Sequence, residues 1–187
     1  IGVCVMNDLQ VVMLASGSKG NAALISSSRQ RFLVDIGISC RELTKRMKEI
    51  SISPEELDGV FITHEHVDHV RGLETFLKKY QVPVYSSMHT WRAILGKYTA
   101  MERKNCRLIE GGLLCGDMRI ESFAIPHDAA DPHGYSFTSQ ASGAKCTYLT
   151  DAGFITDTIA TSLCWSATNS CVSSRRFLSA KIFSTVS

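Results

Sequence analysis

A layered α/β domain with a largely buried mixed sheet is predicted for this chain of 187 residues. Three observations predict it. Apolar runs of strand length alternate with helical patterns up to about residue 100, strands dominate from about residue 107, and one strand exit is crowded with ionisable side chains. The length suits one domain with a sizeable core rather than two. A hydrophobic content of 44% and a mean hydropathy of +0.03 describe a globular chain. No apolar stretch reaches the roughly 18–20 residues of a membrane span. A formal charge of +2 neither demands nor excludes a nucleic-acid partner.

The seven cysteines are odd in number and scattered, with no C-x-x-C pair, which predicts free thiols in a reducing compartment. The first residues, Ile1 to Val5, lack the basic and apolar regions of a secretory signal, and Met6 is read as the start proper. The expectation is a cytoplasmic protein whose domain runs from residue 6 to 160.

Leu9 to Ala15 is a strand that stops at the turn Ser16-Gly17-Ser18-Lys19-Gly20-Asn21. Ala22 to Ser26 and Phe32 to Ile36 continue an early β meander. Ser39 with Glu42 has the spacing of a capping box, and Leu43, Met47 and Ile50 recur at helical spacing behind it. Ser53-Pro54 opens a further turn before the buried strand Val60 to Thr63. Val70, Leu73, Phe76, Leu77 and Tyr80 mark a second helix, Val82 to Tyr85 a strand, and Thr90 the cap of a third helix carrying Trp91, Ile94, Leu95 and Tyr98. Strands follow at Leu108 to Glu110, Met118 to Ile125, Tyr135 to Thr138 and Cys146 to Thr150, with a hairpin turn at Ser142-Gly143-Ala144.

The segment 161–187 differs: eleven Ser or Thr, three Lys or Arg, and no Asp, Glu, Gly, Pro or His. It is read as an atypical tail, with the original reading frame lost near residue 160.

Thr63-His64-Glu65-His66-Val67-Asp68-His69 places three imidazoles and a carboxylate within six residues. Metal binding needs such density, because a divalent ion takes several donors at roughly 2.0–2.2 Å. His64 and His66, two apart, can point at one ion; Asp68 and His69, entering a helix, can reach a second. Glu65, between two candidate ligands, is expected to point away. His127 and Asp151 end two later strands. Either alone is equally ordinary turn chemistry. Together with the cluster, His127 supplies a third nitrogen for the first ion and Asp151 a carboxylate able to bridge two ions. A hydroxide between such ions forms near neutral pH and serves as nucleophile, with Asp68 holding or accepting its proton.

The run His64-Glu65-His66-Val67-Asp68-His69 resembles the H-x-H-x-D-H signature of metallo-β-lactamase-fold hydrolases. Ser16 to Asn21, Leu33-Val34-Asp35-Ile36-Gly37, His127-Asp128-Ala129-Ala130-Asp131-Pro132 and Thr150-Asp151-Ala152-Gly153 resemble its YycJ/WalJ branch. The resemblance implies an αββα sandwich, two divalent ions (Zn²⁺ or Mn²⁺) and 5′-to-3′ exonuclease activity on DNA. It implies that His64, His66 and His127 hold one ion and Asp68 and His69 the other, with Asp151 between them and Asp35 orienting a ligand. The family normally adds one more late His to the second ion, whereas none of the six histidines here lies beyond His133. The second site is therefore expected to be weakened, and the closing half of the second sheet incomplete. Lys19 and Asn21 either contact substrate phosphate or simply belong to a tight turn; both readings stand.

The expected function is a metal-dependent phosphodiesterase with DNA as substrate and no membrane association. The alternatives are hydrolysis of a small carbonyl substrate (lactam, lactone or thioester, including weak β-lactamase activity) and an inactive metal-binding remnant.

Overall fold

The computed structural model describes residues 2–154 and 156–159, and the backbone of 184–186. Seven strands form the first sheet in chain order: β1 (Gly2–Met6), β2 (Leu9–Ala15), β3 (Ala22–Ser26), β4 (Arg31–Val34), β5 (Gly59–Phe61), β6 (Val84–Ser86) and β7 (Cys106–Leu108). The first four pair antiparallel as the meander predicts, and β4 to β7 pair in parallel. Parallel neighbours need crossovers. Four helices lie in them: α1 (Cys40–Glu49), α2 (Val67–Val70), α3 (Leu73–Lys79) and α4 (Met88–Lys97). The second sheet is antiparallel and five-stranded: β8 (Gly112–Cys115), β9 (Met118–Ala124), β10 (His133–Ser139), β11 (Lys145–Tyr148) and β12 (Ser184–Val186), with β12 beside β11.

Alternation along the strands sorts the core into layers. Val12, Leu14, Leu24, Leu33, Val60 and Ile62 face the helices and meet Leu43, Met47, Leu73, Phe76, Leu77 and Ile94. Val11, Ile25, Phe32, Val34 and Phe61 face the other way and meet Met118, Ile120, Tyr135, Phe137, Cys146 and Tyr148 of the second sheet. Helix, sheet and sheet are thus three of the four layers of the expected sandwich. At 157–159 the chain turns helical again, and Ile159 is buried against Phe123, Ile125 and Leu149.

Several boundaries move. Gly2–Met6 is strand β1, so the sheet begins ahead of the expected domain start at residue 6. The single helix expected from Val70 to Tyr80 is two, α2 and α3, broken at Gly72, where a Cβ would collide with the carbonyl of Ile38. Ser39 caps α1 as its spacing requires, its hydroxyl accepting from Glu42 N at 3.2 Å. In α4, Ser87 is the cap and Thr90 supplies the N–H, reversing the expected assignment. Strand β8 has no counterpart in the sequence reading. Beyond Tyr148 the second sheet has one further strand among the described residues, the three-residue β12 at its edge. The remainder of the atypical tail and the proposed loss of frame fall outside the described residues. Among the described residues no helix is long and apolar enough to cross a membrane.

Phe61 is the hinge of the inner core. It is fully buried, stacks on Tyr85 at 5.1 Å and meets Phe32, Tyr135 and Phe137 at centroid distances of 5.8, 5.2 and 5.6 Å. Phe61→Ala leaves a cavity between the sheets and is expected to cost about 3–5 kcal/mol, read from urea denaturation of the full chain.

Candidate metal centre

Each candidate side chain arrives from the carboxyl end of a strand. Asp35 follows β4, Thr63 to His69 follow β5, His127 follows β9 and Asp151 follows β11. Two of these turns take the left-handed conformation that aspartate tolerates better than most residues: Asp35 has φ 62° and Asp151 φ 58°. The turn at Gly37 fits against the cluster so closely that a Cβ there would drive into the carbonyl of Asp68 and the amide of Asn21. Backbone bonds from Asn21 N to Asp68 O (2.8 Å), Gly37 N to Asn21 O (2.8 Å) and Ile36 N to His69 O (2.8 Å) lock these three segments together.

Two groups of donors converge. Donor atoms of His64, His66 and His127 all lie within 4.8 Å of one another, and so do those of His64, His69 and Asp151. His66 Nδ1 and His127 Nε2 stand 3.2 Å apart. His69 Nε2 is 3.0 Å from Asp151 Oδ2 and 3.5 Å from Asp68 Oδ2. Two ligands of a tetrahedral ion at about 2.0–2.1 Å are separated by about 3.3 Å, so these spacings suit atoms sharing an ion. The donor set of imidazole and carboxylate fits a divalent metal of the zinc or manganese kind. His64 belongs to both groups, which the spacing of the sequence does not suggest.

Hydrogen bonding fixes which nitrogens are available. Thr63 Oγ1 lies 3.0 Å from both oxygens of Asp35 and 3.0 Å from His64 Nδ1. Its one hydrogen goes to the carboxylate, so it accepts from His64 Nδ1–H. That tautomer leaves His64 Nε2 as a bare lone pair, and this atom is buried with no hydrogen-bond partner among the described residues. His69 Nδ1 donates to Asp35 Oδ2 at 2.7 Å, which turns its Nε2 toward Asp68 and Asp151. Asp35 is fully buried and also accepts from Thr63 N at 2.9 Å.

The charges follow. Burial, reinforced by the neighbouring imidazoles of His69, His66 and His127, pushes His64 down to about 2. Burial also opposes charge on His69, but the carboxylates of Asp35, Asp151 and Asp68 outweigh it and lift the imidazole to about 10. The hydrogen-bonded His69 imidazolium in turn holds Asp151 down at about 2 against the pull of burial. Burial, with Asp35 nearby, keeps the Tyr148 phenol well above its usual range.

The other candidates divide. Asn21 is buried, its Nδ2 3.2 Å from Asp68 Oδ2 and 3.0 Å from His69 Nε2, so it packs beneath the donors. Lys19 is exposed on its turn, with its carbonyl accepting from Arg71 at 3.0 Å. His133 lines a separate cleft of about 280 Å³ with His89, Glu110 and Asp131 and does not join the donors. One residue escaped the sequence reading: Thr63 joins Asp35 to the donor histidines, and its only signal is its place inside the histidine run. Glu65, expected to point away, joins neither donor group and accepts from Ala130 N at 2.8 Å.

Residues 15–180 match the model of the metallo-beta-lactamase superfamily. The chain belongs to that superfamily. The match continues into the segment that composition sets apart. This superfamily member is 37% identical over 155 residues to "Exodeoxyribonuclease WalJ" of Streptococcus pneumoniae (strain D39 / NCTC 7466), covering 79% of this chain and 56% of that protein. It is 33% identical over 152 residues to "Exodeoxyribonuclease YycJ" of Bacillus anthracis, covering 80% and 56%. The chain thus spans little more than half the length of these relatives. Among solved structures, the metallo-beta-lactamase with a HARLDQ motif from Cronobacter sakazakii superposes with a TM-score of 0.61 at 12% identity, covering 86% of this chain and 73% of that one, a likeness of fold.

In the metal-free centre near pH 8 His64 is neutral with its one proton on Nδ1, Asp151 is ionised, and His69 carries a second proton on Nε2. Filling the group around His69 must displace that proton. Zn²⁺ binding at pH 8 is therefore expected to release about one proton per chain from this residue. Calorimetry in buffers of different ionisation enthalpy measures it, and a heat independent of buffer would contradict the imidazolium.

Proposed function

We propose that this superfamily member is a metal-dependent phosphodiesterase that removes nucleotides from DNA in the 5′-to-3′ direction, in the cytoplasm. The observation that carries the reading is the pair of donor groups sharing His64, found in a chain 37% identical to a protein named as an exodeoxyribonuclease. In this reading His64, His66 and His127 would hold one ion and Asp68 and His69 a second, with the Asp151 carboxylate available to both. Divalent ions of the Zn²⁺ or Mn²⁺ kind, when bound, supply Lewis acidity that eases deprotonation of water and neutralises phosphate charge.

The protein's own groups have separable tasks. Asp35 is sealed from solvent and serves to aim His69. Asp68 and Asp151 retain side-chain exposures of 25% and 26%, so they are the carboxylates a substrate can approach. Asp68 takes the proton of the attacking water as its oxygen bonds to phosphorus, and returns it to the departing sugar oxygen as the old P–O bond breaks. The carboxylate of Asp151 stays ionised throughout.

Side-by-side assays of the 187-residue chain on 5′-phosphorylated DNA and nitrocefin, with and without EDTA, test the proposal. The expected result is stepwise loss of DNA from the 5′ end, abolished by EDTA and restored by Mn²⁺ or Zn²⁺. Asp68→Ala is expected to lower that rate by about 10²–10⁴-fold. Turnover of nitrocefin with intact DNA would favour the small carbonyl substrate instead. A chain that retains less than one metal per molecule and cleaves neither would be the inactive remnant.

A further inference from the structure

Glu65 stands in the chain between two of the donors, His64 and His66, half-buried, with one carboxylate oxygen withdrawn from solvent. Oε1 accepts a hydrogen bond of 2.8 Å from the backbone N–H of Ala130. Oε2 is buried with no hydrogen-bond partner among the described residues. Ala130 lies three residues beyond His127, the one donor of the histidine group that comes from a different segment.

The loop that carries His127 is fastened at both ends. Gly153 N donates to Pro126 O at 3.0 Å, Ile125 N to Pro132 O at 3.0 Å and His133 N to Thr63 O at 3.0 Å. Thr90 Oγ1 donates to Asp131 O at 3.0 Å. Between these ends, Ala129 N bonds back to His127 O at 3.0 Å, inside the turn itself. The Glu65 bond therefore ties the backbone in the middle of the turn to the strand exit that bears His64 and His66. A hydrogen bond to an ionised carboxylate is about twice as strong as a neutral one, which suits it to the task.

We infer that Glu65 is a positioning residue: through the N–H of Ala130 it fixes the 127–130 turn and so sets where His127 Nε2 stands relative to His64 and His66. This rests on the reading of the cluster as a metal centre, and the test separates the two. Co²⁺ is titrated into the full 187-residue chain and followed by its visible absorption against a competing chelator. Glu65→Ala is expected to weaken Co²⁺ binding by about 10–100-fold, the usual range for a lost supporting contact. Glu65→Gln keeps an acceptor oxygen and is expected to bind within about threefold of the unaltered chain. In a His127→Ala background, Glu65→Ala is expected to add no more than about a twofold loss, because both changes act through one ligand.

Unchanged Co²⁺ affinity in Glu65→Ala, or a Glu65→Gln chain as weak as Glu65→Ala, overturns the inference. So do additive losses in the double variant, and so does a metal-free Glu65→Ala chain that no longer folds. A His127→Ala chain that binds Co²⁺ unchanged overturns the metal-centre reading, and this inference with it.

Discussion

The carboxylate of Asp35 lies wholly out of solvent, where an unpaired charge would cost several kcal/mol, and the strand exit beside it is built to satisfy that charge. Its oxygens accept from Thr63 N, Thr63 Oγ1 and His69 Nδ1, at 2.9, 3.0 and 2.7 Å. All three donors come from the segment after β5, the parallel neighbour of β4. Satisfying one buried charge therefore holds Thr63 and His69 in place together. Through Thr63 it also fixes the tautomer of His64. Asp35 adopts a left-handed backbone to reach this position, a local cost that the surrounding bonds offset.

The second sheet contributes what the first cannot. Tyr135 of β10 donates from its hydroxyl to Ile62 O at 2.7 Å, and His133 N donates to Thr63 O at 3.0 Å. These bonds, with the aromatic packing around Phe61, seat β10 against the histidine strand exit. The loops before β10 and after β11 then converge, joined by Gly153 N to Pro126 O. His127 and Asp151 reach the centre because the two sheets are packed face to face, and either would be an ordinary turn residue without that packing.

Three carboxylates share the centre and differ chiefly in access. Asp35 is closed to solvent, whereas Asp68 and Asp151 each keep about a quarter of the side chain open. Superfamily membership accounts for this scaffold but not for a substrate, since one fold hosts many chemistries. The case for DNA rests on likeness to exodeoxyribonucleases, of whose length this chain covers 56%.

The sequence by itself determined the local features: the meander, the Ser39 cap, the apolar faces of the helices and the density of donors from His64 to His69. Each of these is carried by residues within one turn or one strand, where period and capping chemistry operate. Reading His127 and Asp151 together with that cluster extended the donor set, and resemblance added Asp35. Only the tertiary structure decided that His64 joins both donor groups, that Asn21 packs under Asp68 and His69 instead of facing outward, and that Glu65 bonds to Ala130. It also broke the expected helix at Gly72 and placed Gly2–Met6 in the sheet. These depend on which segments approach across tens of residues and on how a buried charge finds its donors, and neither quantity is written in the spacing of neighbouring residues.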